Sequence, residues 1–259
     1  MVKKTKCICE SFLITLSFVL FIGIVSSVII MNIQNALEYM ALISGMAQLL
    51  YLILVIILLK IKGVAIQDRC QVRPVSYKKY ILPAVAAFSF SAFSNIIQVN
   101  IPIPEALTGD MENHLGNSIV AFIMSVFIIA PIVEEVVFRG LIMTKLRKEM
   151  SVTTSSLLSA VLFAIIHFMA GGTITVIHAF WGGLIFALVY EKTKSLLPAI
   201  AAHSFGNIGG FVPQAIHSCP AIIQYMIGVV FMIVAILSCA FLKSNANKKM
   251  PNVSRSLKS

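Results

Sequence analysis

Long apolar runs alternate with short polar connections along the chain, and the connections hold nearly all of the charge. Two runs, 12–31 and 39–59, contain no charged residue. A third, 80–100, is interrupted only by Ser, Asn and Gln. Further runs follow at 116–138, 152–170, 173–190, 195–213 and 221–242. Each is close to the ~20 residues that cross a bilayer as a helix. Backbone in lipid must satisfy its own hydrogen bonds, so such runs form helices. The pattern predicts an all-α polytopic membrane bundle of about eight transmembrane helices.

Composition agrees. Apolar residues make up 59% of the 259 and charged residues 12%, whereas soluble domains have about 45–50% and about 25%. This excludes a disordered chain, a nucleic-acid module and an ordinary soluble enzyme. The net charge of +10 therefore reads as membrane topology, with the bilayer as partner and no nucleic acid. The basic residues fall at Lys3, Lys4 and Lys6, across 60–79, at 145–148, at 192–194 and in the tail. All but Arg139 of the 20 Lys and Arg lie in these alternate connections. The intervening connections hold only Glu38, Glu105, Asp110 and Glu112. By the positive-inside rule both termini are cytoplasmic, in a multi-pass protein of the cell membrane.

The first run is longer than a signal-peptide core and has no clear cleavage site, so it reads as a retained helix. Five cysteines without a CxxC indicate neither a disulfide framework nor a zinc knuckle. The expected organisation is three divergent helices and an outward loop over 1–117, and a core of four helices over 118–215. A last helix over 216–242 and a polar, disordered tail over 243–259 complete it.

Ionisable groups at membrane depth are costly and usually mark function. Glu134, Glu135, Arg139, His167 and His203 stand at such depth on three helices. Glu135 and Arg139 are four apart and can pair on one face. Glu134 is turned about 100° away, which leaves one carboxylate neutralised and the other free to act as a base. Pro131 should kink the helix just before the acids. Phe163 shares a face with His167. His203 and Asn207, four apart, can both donate to an oxyanion. His178, beside Trp181 and a Gly-Gly pair, reads as packing. A base, an imidazole and an imidazole–amide pair suffice for peptide hydrolysis if they converge.

Residues 134–139 (EEVVFR), 163–167 (FAIIH) and 203–207 (HSFGN) occur in order. They resemble the EExxxR, FxxxH and HxxxN signature of the CPBP family, the CAAX prenyl-protease and bacteriocin-processing (Abi) membrane endopeptidases. The likeness spans about 118–215. It implies an intramembrane endopeptidase on an eight-helix scaffold, acting near the cytoplasmic face on a peptide or membrane-protein substrate. Glu134 and His167 would activate water, His203 and Asn207 would form the oxyanion site, and Glu135 and Arg139 would orient the site and substrate. The substrate would be a prenylated C-terminal peptide in the CAAX branch, or a bacteriocin leader.

The family is often classed as metallopeptidases. Zinc could be held by His167, His203 and Glu134, yet HExxH is missing and Arg139 would oppose a dication. No obligatory metal is favoured. Two other readings compete: a non-proteolytic bacteriocin-immunity or scaffold protein, and a transporter or proton relay. The latter is disfavoured by the lack of internal repeats.

Overall fold

The computed structural model describes residues 2–34, 36–101 and 119–247. Among the described residues the apolar runs are helical and there is no strand. The long helices among the described residues are α1 (Val2–Asn32), α2 (Met40–Ile61), α3 (Lys78–Asn100), α4 (Ile119–Leu146), α5 (Val152–Ile166), α6 (Phe168–Thr193), α7 (Leu196–Gly209) and α8 (Ala221–Asn247). Six contain an apolar stretch long enough to cross a membrane; α5 and α7, at 15 and 14 residues, are shorter. Residues 102–118, which hold most of the expected outward loop, and most of the polar tail lie outside the described residues.

The chain is a polytopic helical bundle. α3 packs along α7 and α8, α5 along α6, and α1 along α2. Small side chains, Ala86, Ala87 and Ala92, let α3 approach its neighbours, as helices in lipid do when van der Waals contact drives association. Phe18 of α1 contacts Tyr51 of α2 and Phe138 of α4 edge-on, at 5.1 and 6.2 Å. The first helix is thereby part of the bundle.

Local sequence sets the turns that frame the site. Ser151 caps α5 by accepting from Thr154 N at 3.1 Å, and Ser195 caps α7 by accepting from Leu197 N at 3.3 Å. Each satisfies an amide that the first helical turn leaves free. Lys194, with φ +53°, closes α6 in the left-handed conformation. The α6–α7 connection is therefore only Lys194 and Ser195.

α4 changes register twice. Ser125–Ile129 and Val136–Met143 are wide π turns, with an α segment, Ala130–Glu135, between them. Such turns recur where function is built into a helix. The break expected at Pro131 takes this form: the backbone stays helical through the proline. Proline has no N–H to offer Val126 O five residues back, and the Asn207 side chain on α7 supplies the donor at 2.8 Å.

Candidate active site

The EEVVFR segment lies in the interior of α4, where Glu135 and Arg139 are completely buried. Arg139 Nη1 donates to Glu135 Oε1 at 2.8 Å, and Nη2 donates to Gly183 O on α6 at 2.7 Å. The rings of Phe163 and Phe186 lie 4.8 and 5.3 Å from the guanidinium carbon. An isolated charge here would carry a large desolvation cost, so the pair, the carbonyl and the rings together make the burial tolerable. Gly183 matters for space. A Cβ there would come within 3.2–3.3 Å of Phe163 and Ala160 on α5, so the glycine sets the close packing that brings its carbonyl to Arg139.

Glu135 Oε1 has a second partner, His203 Nδ1 on α7, at 3.0 Å. The His203 ring stacks on Phe186 with centroids 4.5 Å apart and meets the edge of Phe163 at 5.6 Å. Its position is fixed from both faces and one nitrogen. A carboxylate already receiving Arg139 can only accept, so Nδ1 carries hydrogen. Nε2 then points away from Glu135.

His167 sits at the C-terminal end of α5. Its Nδ1 pairs with Phe163 O at 2.8 Å, and the ring lies 4.5 Å from the Phe163 ring. A carbonyl also only accepts, so Nδ1 is again the protonated nitrogen. The Nε2 atoms of His167 and His203 lie 3.9 and 3.8 Å from one oxygen, Glu134 Oε2. These separations are too long for direct hydrogen bonds. Glu134 Oε2 is buried and has no protein partner among the described residues. One carboxylate oxygen and two imidazole nitrogens from three helices thus face a common point.

Five of the six residues singled out by sequence meet here. Asn207 does not join them directly; its amide serves Val126 O, which leaves its second hydrogen uncommitted. Phe186 and Gly183 were missed. They share one face of α6 with Tyr190 at the spacing i, i+3, i+7, a signal present in the sequence. His178 is bonded to Ser94 Oγ at 2.8 Å and stacked on Phe90, in keeping with a packing residue.

The same trio was the candidate for zinc. Donors at ~2.0–2.1 Å around a tetrahedral zinc lie roughly 3.3–3.4 Å apart, closer than the 3.8 and 3.9 Å observed. No group of three His, Cys, Asp or Glu among the described residues has the spacing of a metal site. The fully buried Arg139 cation lies one helical turn away. The residues as placed do not fit the ion, so no step below runs through one.

Residues 116–209, over a third of the chain, match the family model described as type II CAAX prenyl endopeptidase Rce1-like. No curated protein and no solved structure matches the chain. The matched stretch contains every residue of the cluster, so the part of the chain that builds the site is similar to the type II CAAX prenyl endopeptidases.

Proposed function

We propose that the protein is an intramembrane endopeptidase in which Glu134 and His167 activate a water, with His203 and Asn207 stabilising the oxyanion. The observation that carries this reading is the convergence of Glu134 Oε2 with the Nε2 atoms of His167 and His203 at 3.8–3.9 Å. A water between them can donate its two hydrogens to Glu134 Oε2 and His167 Nε2. A single water at ~2.8 Å from each atom fits that separation.

The water oxygen attacks the peptide carbonyl carbon as its proton passes to Glu134 Oε2. His167 Nε2 accepts the other hydrogen and aims the attacking lone pair. The carbonyl oxygen becomes an oxyanion within reach of His203 Nε2. Nδ1 of His203 already donates to Glu135, so Nε2 donates only when the ring is protonated. Arg139 Nη1 and His203 Nδ1 both donate to Glu135 Oε1, which holds the imidazole in place. Asn207 offers its uncommitted amide hydrogen to the same oxyanion. Collapse of the tetrahedral species breaks the C–N bond, and the proton on Glu134 moves to the departing amine.

The test is cleavage of quenched-fluorescence peptides, with and without a C-terminal prenyl group, by purified protein in detergent. Glu134→Gln and His167→Ala should each lower kcat by about 10²–10⁴-fold while circular dichroism and Tm stay near wild type. Chelation should leave the wild-type rate intact. Wild-type rates in either variant would remove the assigned roles. Loss on chelation with rescue by zinc would replace the activated water by a metal-bound one.

A further inference from the structure

A peptide that leaves water for a pocket at membrane depth brings backbone carbonyls that need hydrogen-bond donors, because an unpaired one is costly there. The cluster described above has few donors to give. An ionised Glu134 only accepts. The Nδ1 hydrogens of His167 and His203 are committed to Phe163 O and Glu135 Oε1. Asn207 has one hydrogen left, and the oxyanion claims it. Arg139, to which the family resemblance gives a part in orienting substrate, is completely buried and spends Nη1 and Nη2 on Glu135 and Gly183 O.

Arg139 is also closed in from behind. The segment 66–73 between α2 and α3 is strapped across the ends of α4, α6 and α7. Arg69 donates to Leu141 O at 3.3 Å, Cys70 O accepts from Tyr190 Oη at 3.4 Å, Gln71 O accepts from Leu196 N at 3.1 Å, and Arg73 O accepts from Ser195 Oγ at 2.6 Å. Cys70 fits against Gly140, the residue after Arg139. A donor for the substrate backbone therefore comes from another side chain.

His178 on α6 has the features of that donor. One side of the ring packs: it stacks on Phe90 of α3 with centroids 5.4 Å apart, and Nδ1 lies 2.8 Å from Ser94 Oγ. Gln98, one turn further along α3, donates its amide nitrogen to the same Oγ at 3.1 Å. A hydroxyl has one hydrogen. Since Gln98 gives and does not receive, the Ser94 hydrogen goes to His178 Nδ1, and the ring's own hydrogen stands on Nε2. This is the opposite tautomer from His167 and His203, whose Nδ1 atoms face acceptors.

Packing does not account for Nε2. Nδ1 makes the ring's only hydrogen bond among the described residues. The residue is half-buried, and Nε2 is not closed off by neighbouring atoms. An open N–H turned toward lipid would be costly, so it faces a polar cavity. His178 lies within electrostatic range of both His167 and His203, which makes that cavity the one around Glu134.

From these observations we propose that His178 is a substrate-binding residue whose Nε2–H donates to a backbone carbonyl of the bound peptide other than the one attacked. Ser94 and Gln98 are positioning residues that set the tautomer through Nδ1. The peptide in this proposal rests on the protease reading; the tautomer does not.

Two measurements test it. Two-bond proton–nitrogen correlation spectra of protein carrying isotope-labelled histidine give the protonated nitrogen of each ring. His178, assigned by its loss in His178→Gln, should carry hydrogen on Nε2, and Ser94→Ala should shift it toward Nδ1. A wild-type ring protonated on Nδ1 would overturn the proposal whatever the activity. Steady-state cleavage of the quenched peptides separates binding from chemistry. Gln can place its amide nitrogen where Nε2 stands, and Asn only where Nδ1 stands. His178→Asn and His178→Phe should raise KM about ten-fold with kcat within about three-fold of wild type, and His178→Gln should return KM toward wild type. A packing role alone would lower Tm and spare KM, or would leave Gln no better than Asn, and either result would overturn the proposal. If wild-type protein cleaves no peptide, the protease reading fails. The same comparison is then made on binding, by anisotropy of a fluorescein-labelled prenylated peptide, and equal affinity in His178→Phe and wild type, or no binding to either, would overturn the proposal too.

Discussion

Glu134 and Glu135 are neighbours in sequence, yet they belong to two different regions of the site. Glu135 lies in the floor, where one oxygen serves both Arg139 and His203 and the pair has no exposure. Glu134 lies at the mouth, where its Oε2 faces two imidazole nitrogens without bonding to either. The floor is held by direct charge-assisted hydrogen bonds and by the rings of Phe163 and Phe186. The mouth is a set of acceptors held in place by contacts on their far sides. Preorganisation of this kind separates the groups that hold the geometry from the groups that use it. Substitutions in the floor should therefore cost both stability and activity, while substitutions in the mouth should cost activity alone.

The largest effect is expected from Arg139→Met. It leaves Glu135 buried without its cation, and breaking a buried pair from one side costs about 3–5 kcal/mol. Unfolding in a detergent–denaturant titration should shift by that amount, with loss of cleavage. The double variant Glu135→Leu/Arg139→Met should recover a large part of the stability and none of the activity. If the single variant were as stable as wild type, the floor would not be the structural half of the site.

Asn207 tests the border between the two regions. Its amide bonds Val126 O where Pro131 withholds a backbone donor, and it is also assigned an oxyanion hydrogen. Loss of an oxyanion donor costs about 2.7–4 kcal/mol in the rate, whereas loss of one hydrogen bond costs ~1–3 kcal/mol in stability. Asn207→Ala should lower kcat by about 10²–10³-fold, more than it lowers stability. Asn207→Asp should be worse, since a second carboxylate would face the oxyanion. A fall in stability with unchanged kcat would assign Asn207 to the floor.

Much of this was legible in the residues. The helical bundle follows from run length and charge placement, because lipid leaves the backbone few alternatives. The i, i+4 pairing of Glu135 with Arg139 follows from helix geometry alone. The His203–Glu135 bond did not, since it depends on how α7 lies against α4. Phe186 was hidden for a similar reason: in an apolar span an aromatic facing lipid and one facing an arginine look alike. The π turns of α4 have no signature beyond Pro131, and the strap over 66–73 looked like an ordinary polar connection because its contacts are mostly to backbone atoms.

The smallest effect concerns that strap, which lies outside the membrane-spanning segments. Cys70 is completely buried, and burial pushes its thiol up to about 12, with Arg69 opposing. At pH 8 only about one such thiol in 10⁴ is the reactive thiolate. Cys9 is exposed, so maleimide at pH 8 should modify Cys9 first and reach Cys70 only when the strap lifts. Gly140 is the lever. A Cβ at this position would lie 2.5 Å from Cys70 Sγ and 2.8 Å from its Cβ, so one of the two segments must move. Overpacking of this kind costs about 1–3 kcal/mol. Gly140→Ala should speed modification of Cys70 about ten-fold or more, read by mass spectrometry of the labelled peptide, and should lower Tm modestly. Because Gly140 adjoins Arg139, a loss of cleavage larger than the loss of stability would show that the strap also holds the floor in register. Unchanged labelling at unchanged stability would mean that the strap is secured by its carbonyl bonds to Tyr190, Ser195 and Leu196, independently of the fit between Cys70 and α4.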